Sequence, residues 1–376
     1  MMTGQTAGVP FSEDKLATCI SCGFCLPACP TYAMTGDEKS SPRGRINLMR
    51  AIQRGDIDID SAASRDQSSE CLGCRACEPV CPAGVEYGHL LEEWRDNSWK
   101  GRRTPAAAAL ARRGAEFGSA IRWLGRRRGA ARTRRPSGTD PRHSLMLGCA
   151  ERVLFPQVSR AAAHVEPNLD VDDNQGCCGA LHAHNGDARR GAELARELGD
   201  RLPEVIVTTS GGCSAHLAAI LGRDRVLEFS EYLLRRPTET DDLADTRRRL
   251  NRLEVDGRPA RIGLQDSCHA RNALGIIEPP RDLIRAIGEF VEVPGAAGCC
   301  GAAGTYSLMR PRESKDILAR RVEAVVAAEV DILAVLNPGC YRQMASGLKR
   351  AKSRIQVLHV AELAELALSE PQQTTL

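Results

Sequence analysis

The chain has 376 residues, enough for two or three domains, and its 42% of hydrophobic residues can fill real cores, although aromatics at 4% leave most packing to Leu, Val, Ile and Ala. A net charge of +3 is too close to neutral to imply a nucleic-acid partner. Sixteen cysteines are the outlier, and they narrow the reading to disulfides or metal.

The first residues, MMTGQTAGVPFSEDK, have neither the basic nor the apolar region of a secretory signal. The longest apolar candidate, VVAAEVDILAVL at 325–336, is too short to span a bilayer and holds Glu329 and Asp331. A cytoplasmic location is expected, with any membrane contact peripheral and on the inner face. There the thiols stay reduced. The neighbours Cys177–Cys178 and Cys299–Cys300 also fit a disulfide framework poorly, so metal or cluster ligation is expected.

Residues 1–100 carry one motif twice. CISCGFCLPACP places Cys19, Cys22, Cys25 and Cys29 before Pro30, and CLGCRACEPVCP places Cys71, Cys74, Cys77 and Cys81 before Pro82. Zinc sites usually take two cysteines at CxxC and two ligands from elsewhere, which leaves a pair of zinc knuckles as the competing reading. Three cysteines at steps of three, a fourth and then Pro fit a 4Fe–4S cluster better. In two-cluster ferredoxins the fourth cysteine of each run ligates the other cluster. The expected sets are therefore Cys19, Cys22, Cys25 and Cys81 for one cluster, and Cys71, Cys74, Cys77 and Cys29 for the other. Both prolines suit a first helical position. Between the motifs RGRINLMRAIQRG predicts a helix, with Ile46, Met49 and Ile52 inward and Gly55 as its stop. After them VEYGHLLEEWRDNSW puts Tyr87, Leu90, Leu91 and Trp94 on one helical face. Arg43 and Arg45 are placed either to cover a cluster electrostatically or to position a helix start.

Residues 101–142 are rich in Arg and Ala. They read as a basic, partly helical linker, or as a surface for anionic lipid or an acidic partner, with Trp123 and Leu124 beside Arg126, Arg127 and Arg128.

Residues 143–240 and 260–376 are two copies of one unit. HSLMLGC matches RIGLQDSC, NQGCCGA matches AAGCCGA, and EVIVTTSGGC matches VDILAVLNPGC. Paired cysteines are offset by 119, 122, 122 and 127 residues, the drift expected from small loop insertions. Each unit reads strand, helix, strand, CCG loop, helix, strand, which predicts a parallel α/β sheet with cysteines at the carboxyl ends of strands. The fold class is thus α+β overall, a helical two-cluster domain followed by two α/β repeats. Cys149, Cys177, Cys178 and Cys213 form one thiol set, and Cys268, Cys299, Cys300 and Cys340 the other. Each can hold a further iron–sulfur cluster, the alternative being buried inert cysteines. Neighbouring glycines let backbone N–H groups approach the sulfurs. His216, three residues after Cys213, is a candidate replacement ligand, and His182, His184 and His269 adjoin the cysteine loops.

The first region resembles the α-helical ferredoxin domain of iron–sulfur subunits in respiratory dehydrogenases. The repeats resemble CCG domains, found in heterodisulfide reductases and in glycerol-3-phosphate dehydrogenase, lactate-utilisation and glycolate oxidase proteins. The whole architecture, with CPTY, GDE and SPRGRI after the first motif and GCCGALHAHNGD and CCGAAGTYSL later, resembles glycolate oxidase iron–sulfur subunits. That resemblance implies an electron conduit from FAD-binding partner subunits, which oxidise a 2-hydroxy acid, through 4Fe–4S clusters towards quinone or another acceptor. The chain has no GxGxxG, in keeping with flavin residing elsewhere. The same likeness leaves a subunit of a glycerol-3-phosphate or D-lactate dehydrogenase as an alternative, and a disulfide reductase as another. Disulfide-cleaving CCG domains carry CxxC in their third segment, whereas His216 and Gln343 stand at those positions here. A cluster-based sensor or scaffold is disfavoured, since no helix-turn-helix is apparent.

Overall fold

Ser41 starts the principal helix of the N-terminal region: its side chain accepts from the Gly44 amide at 3.0 Å, and Pro42 supplies the first helical residue. In this computed structural model the described residues are 10–134, 143–202, 204–234 and 250–368. The starting segment 1–9, the last eight residues of the expected linker (135–142), the end of the first repeat (235–240) and the tail 369–376 lie outside them.

Helix Pro42–Gln53 buries Ile46, Met49 and Ile52, and Gly55 follows with φ +80°. Helix Tyr87–Ser98 buries Tyr87, Leu90, Leu91 and Trp94 against them, with Phe11 edge-on to Trp94 at 6.3 Å. Each such side chain contributes about 1.5–3 kcal/mol by leaving water. Trp94 also keeps a partner for its indole N–H, donating to Ser64 Oγ at 2.8 Å. Short helices Glu13–Ala17, Pro30–Thr35 and Ala62–Glu70 complete a region without strands among its described residues. Pro30 begins its helix as expected. Pro82 does not: it lies in a turn ahead of Gly84 (φ +70°), and the next helix starts only at Tyr87.

The basic stretch contains helices Ala106–Glu116 and Gly118–Arg127. They rest on the first repeat, where Arg126 donates to Asp173 at 2.8 Å and Arg112 to the Gly186 carbonyl at 3.0 Å.

The first repeat has a parallel sheet in the order β1 (His143–Met146), β2 (Val205–Thr208), β3 (Val226–Glu228). A small hairpin, β4 (Glu254–Val255) and β5 (Arg258–Pro259), precedes the second repeat. There β6 (Arg261–Gln265), β7 (Glu289–Val291), β8 (Ile332–Val335) and β9 (Gln356–His359) form a parallel sheet in the order β7-β6-β8-β9. The expected strand before the first CCG loop is reduced to single bridges, Ser144 with Asp170 and Arg134 with Val171. In that stretch Pro167 removes a backbone donor, and Asp173 is taken by Arg126 and by Thr133 at 2.9 Å.

The repeats share one core, in which Leu145 and Val207 lie with Leu264, Ile332 and Val335. Helix Pro156–Val165 of the first packs against helix Val360–Leu368 of the second. Loops at the carboxyl ends of their strands meet: Gly211 N–H donates to Leu336 O at 3.2 Å, Ser210 Oγ bonds Asn337 Oδ1 at 2.9 Å, and His359 Nε2 bonds Thr209 O at 2.8 Å. The cysteine-bearing ends of both sheets therefore converge.

Candidate metal centres

Helix Pro42–Gln53 presents three arginines to the first cysteine loop. Arg43 donates to Ser21 O at 3.1 Å and lies over Gly23 (φ +88°), where a Cβ would come within 2.8 Å of the guanidinium. Arg50 donates to Cys19 O at 2.5 Å and Leu16 O at 2.9 Å. Arg45 is buried. It donates to Thr31 Oγ1 at 3.1 Å, pairs with Glu70 at 2.9 Å, and approaches Cys29 Sγ at 4.0 Å. Burial alone would lower its pKa, but the negative potential of Cys71, Tyr87, Cys29 and Glu70 outweighs that and raises it. Arg45 is thus a fixed positive charge. Gly44, between Arg43 and Arg45, has no room for a Cβ beside the Glu38 carbonyl.

Cys19, Cys22 and Cys25 line one pocket together with Cys81 and, from its inner side, Cys77. Cys22 is exposed, and Ile20 and Phe24 next to it stand open to solvent. The other motif is inside. Burial raises the Cys74 and Cys77 thiols well above their usual pKa, and the charges of nearby Cys71 and Cys29 add to this. Cys268 of the second repeat acts on Cys74 in the same way. Asn272, on the helix that Cys268 begins, donates to Cys74 O at 2.9 Å. Cys74 also packs in one apolar cluster with Leu72, Cys299 and Tyr306. Sequence reasoning missed Arg50, and it missed Arg95, whose buried guanidinium ties Cys71 O (2.6 Å) and Ser68 O (3.0 Å) to His184 O (2.9 Å). Neither belongs to a motif, and the groups they hold near the cysteines are main-chain carbonyls, so no sequence signal marks them.

Each repeat gathers its four cysteines alike. Cys149 and Cys268 begin helices just after β1 and β6. Cys213 and Cys340 lie in the first turns of helices Gly211–Leu221 and Pro338–Arg350, after β2 and β8. Cys178 Sγ is 3.1 Å from Cys213 Sγ, and Cys300 Sγ is 3.1 Å from Cys340 Sγ. The glycine of each CCG is required. Gly179 and Gly301 have φ of +83° and +82°, and a Cβ on Gly301 would meet Ser314 O at 2.7 Å. Their N–H groups point at the first sulfur of the pair, 3.5 Å from Cys177 and 3.4 Å from Cys299. Crowded thiols cannot ionise alike: hydrogen bonding from Cys299, with His269 beside it, brings Cys268 down to about 5.

The histidines occupy the junction. The His269 ring stacks on His184 at 5.1 Å, and its Nδ1 is 3.7 Å from Cys268 Sγ. His216 is buried one helical turn from Cys213, and its ring stands edge-on to that of His184, with centroids 6.3 Å apart. His184 Nδ1 bonds Glu92 at 3.0 Å. Burial pushes the Glu92 carboxyl up, yet this bond and the surrounding histidines bring it to about 2. His182 is buried near Glu116, at 3.4 Å. Gln343 donates to Ser314 Oγ at 3.0 Å, so it braces the CCG loop from behind.

None of the sixteen cysteines is in a disulfide. Among the described residues no three His, Cys, Asp or Glu side chains lie close enough together to hold one metal ion. What the structure brings together is soft thiols in close pairs, Cys149 with Cys177, Cys178 with Cys213 and Cys300 with Cys340, with amide N–H groups aimed at sulfur and the buried Arg45 beside Cys29. This donor chemistry fits iron–sulfur clusters.

A 4Fe-4S dicluster domain model matches residues 15–85, and the cysteine-rich (CCG) domain model matches 144–218 and 262–345. The probable glycolate oxidase iron-sulfur subunit of Bacillus subtilis (strain 168) is 32% identical, covering 93% of this chain and 94% of that protein. The chain belongs to the glycolate oxidase iron–sulfur subunit family. The glycolate oxidase iron-sulfur subunit of Escherichia coli (strain K12) is 27% identical over 97% of both chains. Lactate utilization protein A 2 of Bacillus anthracis is 28% identical over 60% of this chain and 99% of its own length. In fold alone, the crystal structure of a hypothetical protein from Helicobacter pylori matches with a TM-score of 0.53 at 8% identity, covering 89% of this chain and 68% of the other. Family membership and donor chemistry agree: this is an iron–sulfur subunit of an oxidoreductase.

Proposed function

We propose that this iron–sulfur electron-transfer subunit of a glycolate oxidase-type complex conducts electrons inward from its exposed first motif to its CCG repeats, and from there to quinone. A 4Fe–4S cluster accepts and returns one electron at a time, which suits a chain lying between a two-electron flavin and an acceptor. Cys19, Cys22, Cys25 and Cys81 hold the outer cluster, for they rim one pocket. Cys71, Cys74, Cys77 and Cys29 hold the inner one, and Arg45 sets a positive charge beside it. Cys149, Cys177, Cys178 and Cys213, and likewise Cys268, Cys299, Cys300 and Cys340, hold the clusters of the repeats. His216 stays outside the ligand set, edge-on to the His184 ring.

The observation that carries this reading is the seating of Cys74 against the Cys268 helix. It sets the inner ferredoxin site beside the second repeat, while the exposed Cys22 loop faces outward to receive a flavin-bearing partner. Glycolate is the substrate we propose for that partner, with D-lactate and glycerol 3-phosphate as the alternatives, and the proposal places the whole assembly peripherally at the inner face of the membrane. The test is Cys22→Ser and Cys74→Ser in the complex. Quinone reduction should stop in both, while glycolate still bleaches the flavin of the partner. Undiminished quinone reduction in both variants contradicts the proposal.

A further inference from the structure

Helices Ala106–Glu116 and Gly118–Arg127 bury their inner sides on the first repeat. Ala108 and Ala115 are covered, and Gly125 lies so close to helix Cys149–Leu154 that a Cβ would come within 3.1 Å of Arg152 Cβ. Their outer sides are unusual. Leu110, Phe117 and Trp123 are 70%, 64% and 57% exposed, three of the ten large apolar side chains open to solvent among the described residues. Exposed Arg113, Arg127 and Arg128 surround them, and the Arg127 guanidinium lies 4.6 Å over the Trp123 ring.

Charge decides what such a patch meets. Residues 101–134 hold ten arginines and one carboxylate, Glu116, which is turned to His182. Arg126 is used inward on Asp173, and Arg112 on Gly186 O. The cations left outward are interleaved with the exposed apolar residues. Trp, Phe and Arg also occur in protein interfaces, so it is the excess of ten arginines over one carboxylate that calls for a strongly anionic surface. At a membrane headgroup layer Trp and Phe enter the acyl boundary while arginines meet phosphates.

We infer that this helix pair docks the protein on an anionic lipid surface, with Phe117 and Trp123 entering the interface and Arg113, Arg127 and Arg128 on the phosphates. The inference rests on the peripheral membrane reading above and gives it a face. It also orients the chain, because helix Gly118–Arg127 packs on the helix that begins at Cys149. The cysteine set of the first repeat then lies on the lipid side, where a lipid-soluble quinone is found.

The test uses the full chain, purified anaerobically with its clusters. It is mixed with vesicles of phosphatidylcholine alone or with roughly one-third phosphatidylglycerol. Binding is expected only to the anionic vesicles, weakening with salt. Trp94 and Trp99 are buried, so a blue shift of emission on binding reports Trp123. Phe117→Ala with Trp123→Ala, and separately Arg127→Glu with Arg128→Glu, should each lower partitioning at least about fivefold. Cluster absorbance and circular dichroism should stay unchanged. Wild-type protein that ignores both vesicles overturns the inference, as do variants that bind like wild type. So does loss of a co-purifying flavin subunit from variants of a protein that never bound lipid. Reduction of the clusters by glycolate is read separately, so it can succeed where vesicle binding fails.

Discussion

Asn272 donates from its side-chain amide to the main-chain carbonyl of Cys74, 2.9 Å away. One hydrogen bond thus joins a ferredoxin loop to the helix begun by Cys268, across 198 residues of sequence. Asn272→Ala should cost about 1 kcal/mol and leave the iron content intact. Rapid-freeze measurements should show slower passage of electrons from the ferredoxin clusters to the repeats. An unchanged transfer rate would mean that the seating is set by the apolar contacts of Leu72 and Tyr306 alone.

Much of the site is legible in the sequence, because cysteine spacing is a local property. The two runs before Pro30 and Pro82, the CCG pairs and their glycines each declare themselves within a dozen residues. Helical periodicity likewise announces the buried faces of Met49 and Trp94. The apposition of Cys74 and Cys268 cannot be read there, since no pattern encodes a through-space meeting of separate units. Arg95 is invisible for a related reason: its targets are carbonyl groups, which every residue has. The strand expected near Asp170 shrinks to single bridges, because Pro167 and the acidic turn outweigh the apolar residues around them.

Arg45 should matter for stability and for redox potential together. Arg45→Met leaves the largely buried Glu70 without its cation, with an expected loss of about 3–5 kcal/mol. It also removes a positive charge beside Cys29, so the inner cluster should titrate at a more negative potential. Arg45→Lys should restore most of the potential but not the fork to Thr31 and Glu70. An EPR-monitored redox titration of the three proteins checks this; equal potentials would remove Arg45 from any tuning role.

The CCG glycines predict a local lesion. Gly179→Ala and Gly301→Ala each force a left-handed residue, at about 1–2 kcal/mol, and add a backbone clash. Iron should fall in the affected repeat while the ferredoxin EPR signals persist. Gly36→Ala, with φ +65° and open space around it, should show only the modest strain. Full iron in both CCG-glycine variants contradicts the assignment of the repeats as cluster sites.

Glu228, at the end of β3, is buried, and burial raises its carboxyl to about 7 despite hydrogen bonds from Ser230. The ordinary value for a glutamate carboxyl, taken for the unfolded chain, is 4.5. The contribution of Glu228 to stability is therefore fully present below pH 4.5 and is lost as the pH rises through about 7. Glu228→Gln retains the acceptor for the Ser230 N–H and removes the titration. Its denaturation midpoint should gain on wild type between about pH 5 and pH 8, by at most about 3 kcal/mol. Parallel pH profiles would show that Glu228 stays ionised in the fold.

The central claim is that electrons from glycolate enter this chain. The complex should be purified anaerobically from its own host through a tag on this subunit and given glycolate alone, without dithionite. The low-temperature EPR spectrum is predicted to show reduced-cluster signals, and Cys22→Ser to abolish them while the flavin still bleaches. A spectrum that stays silent with glycolate and appears only with dithionite contradicts the claim, leaving intact clusters fed by a different donor.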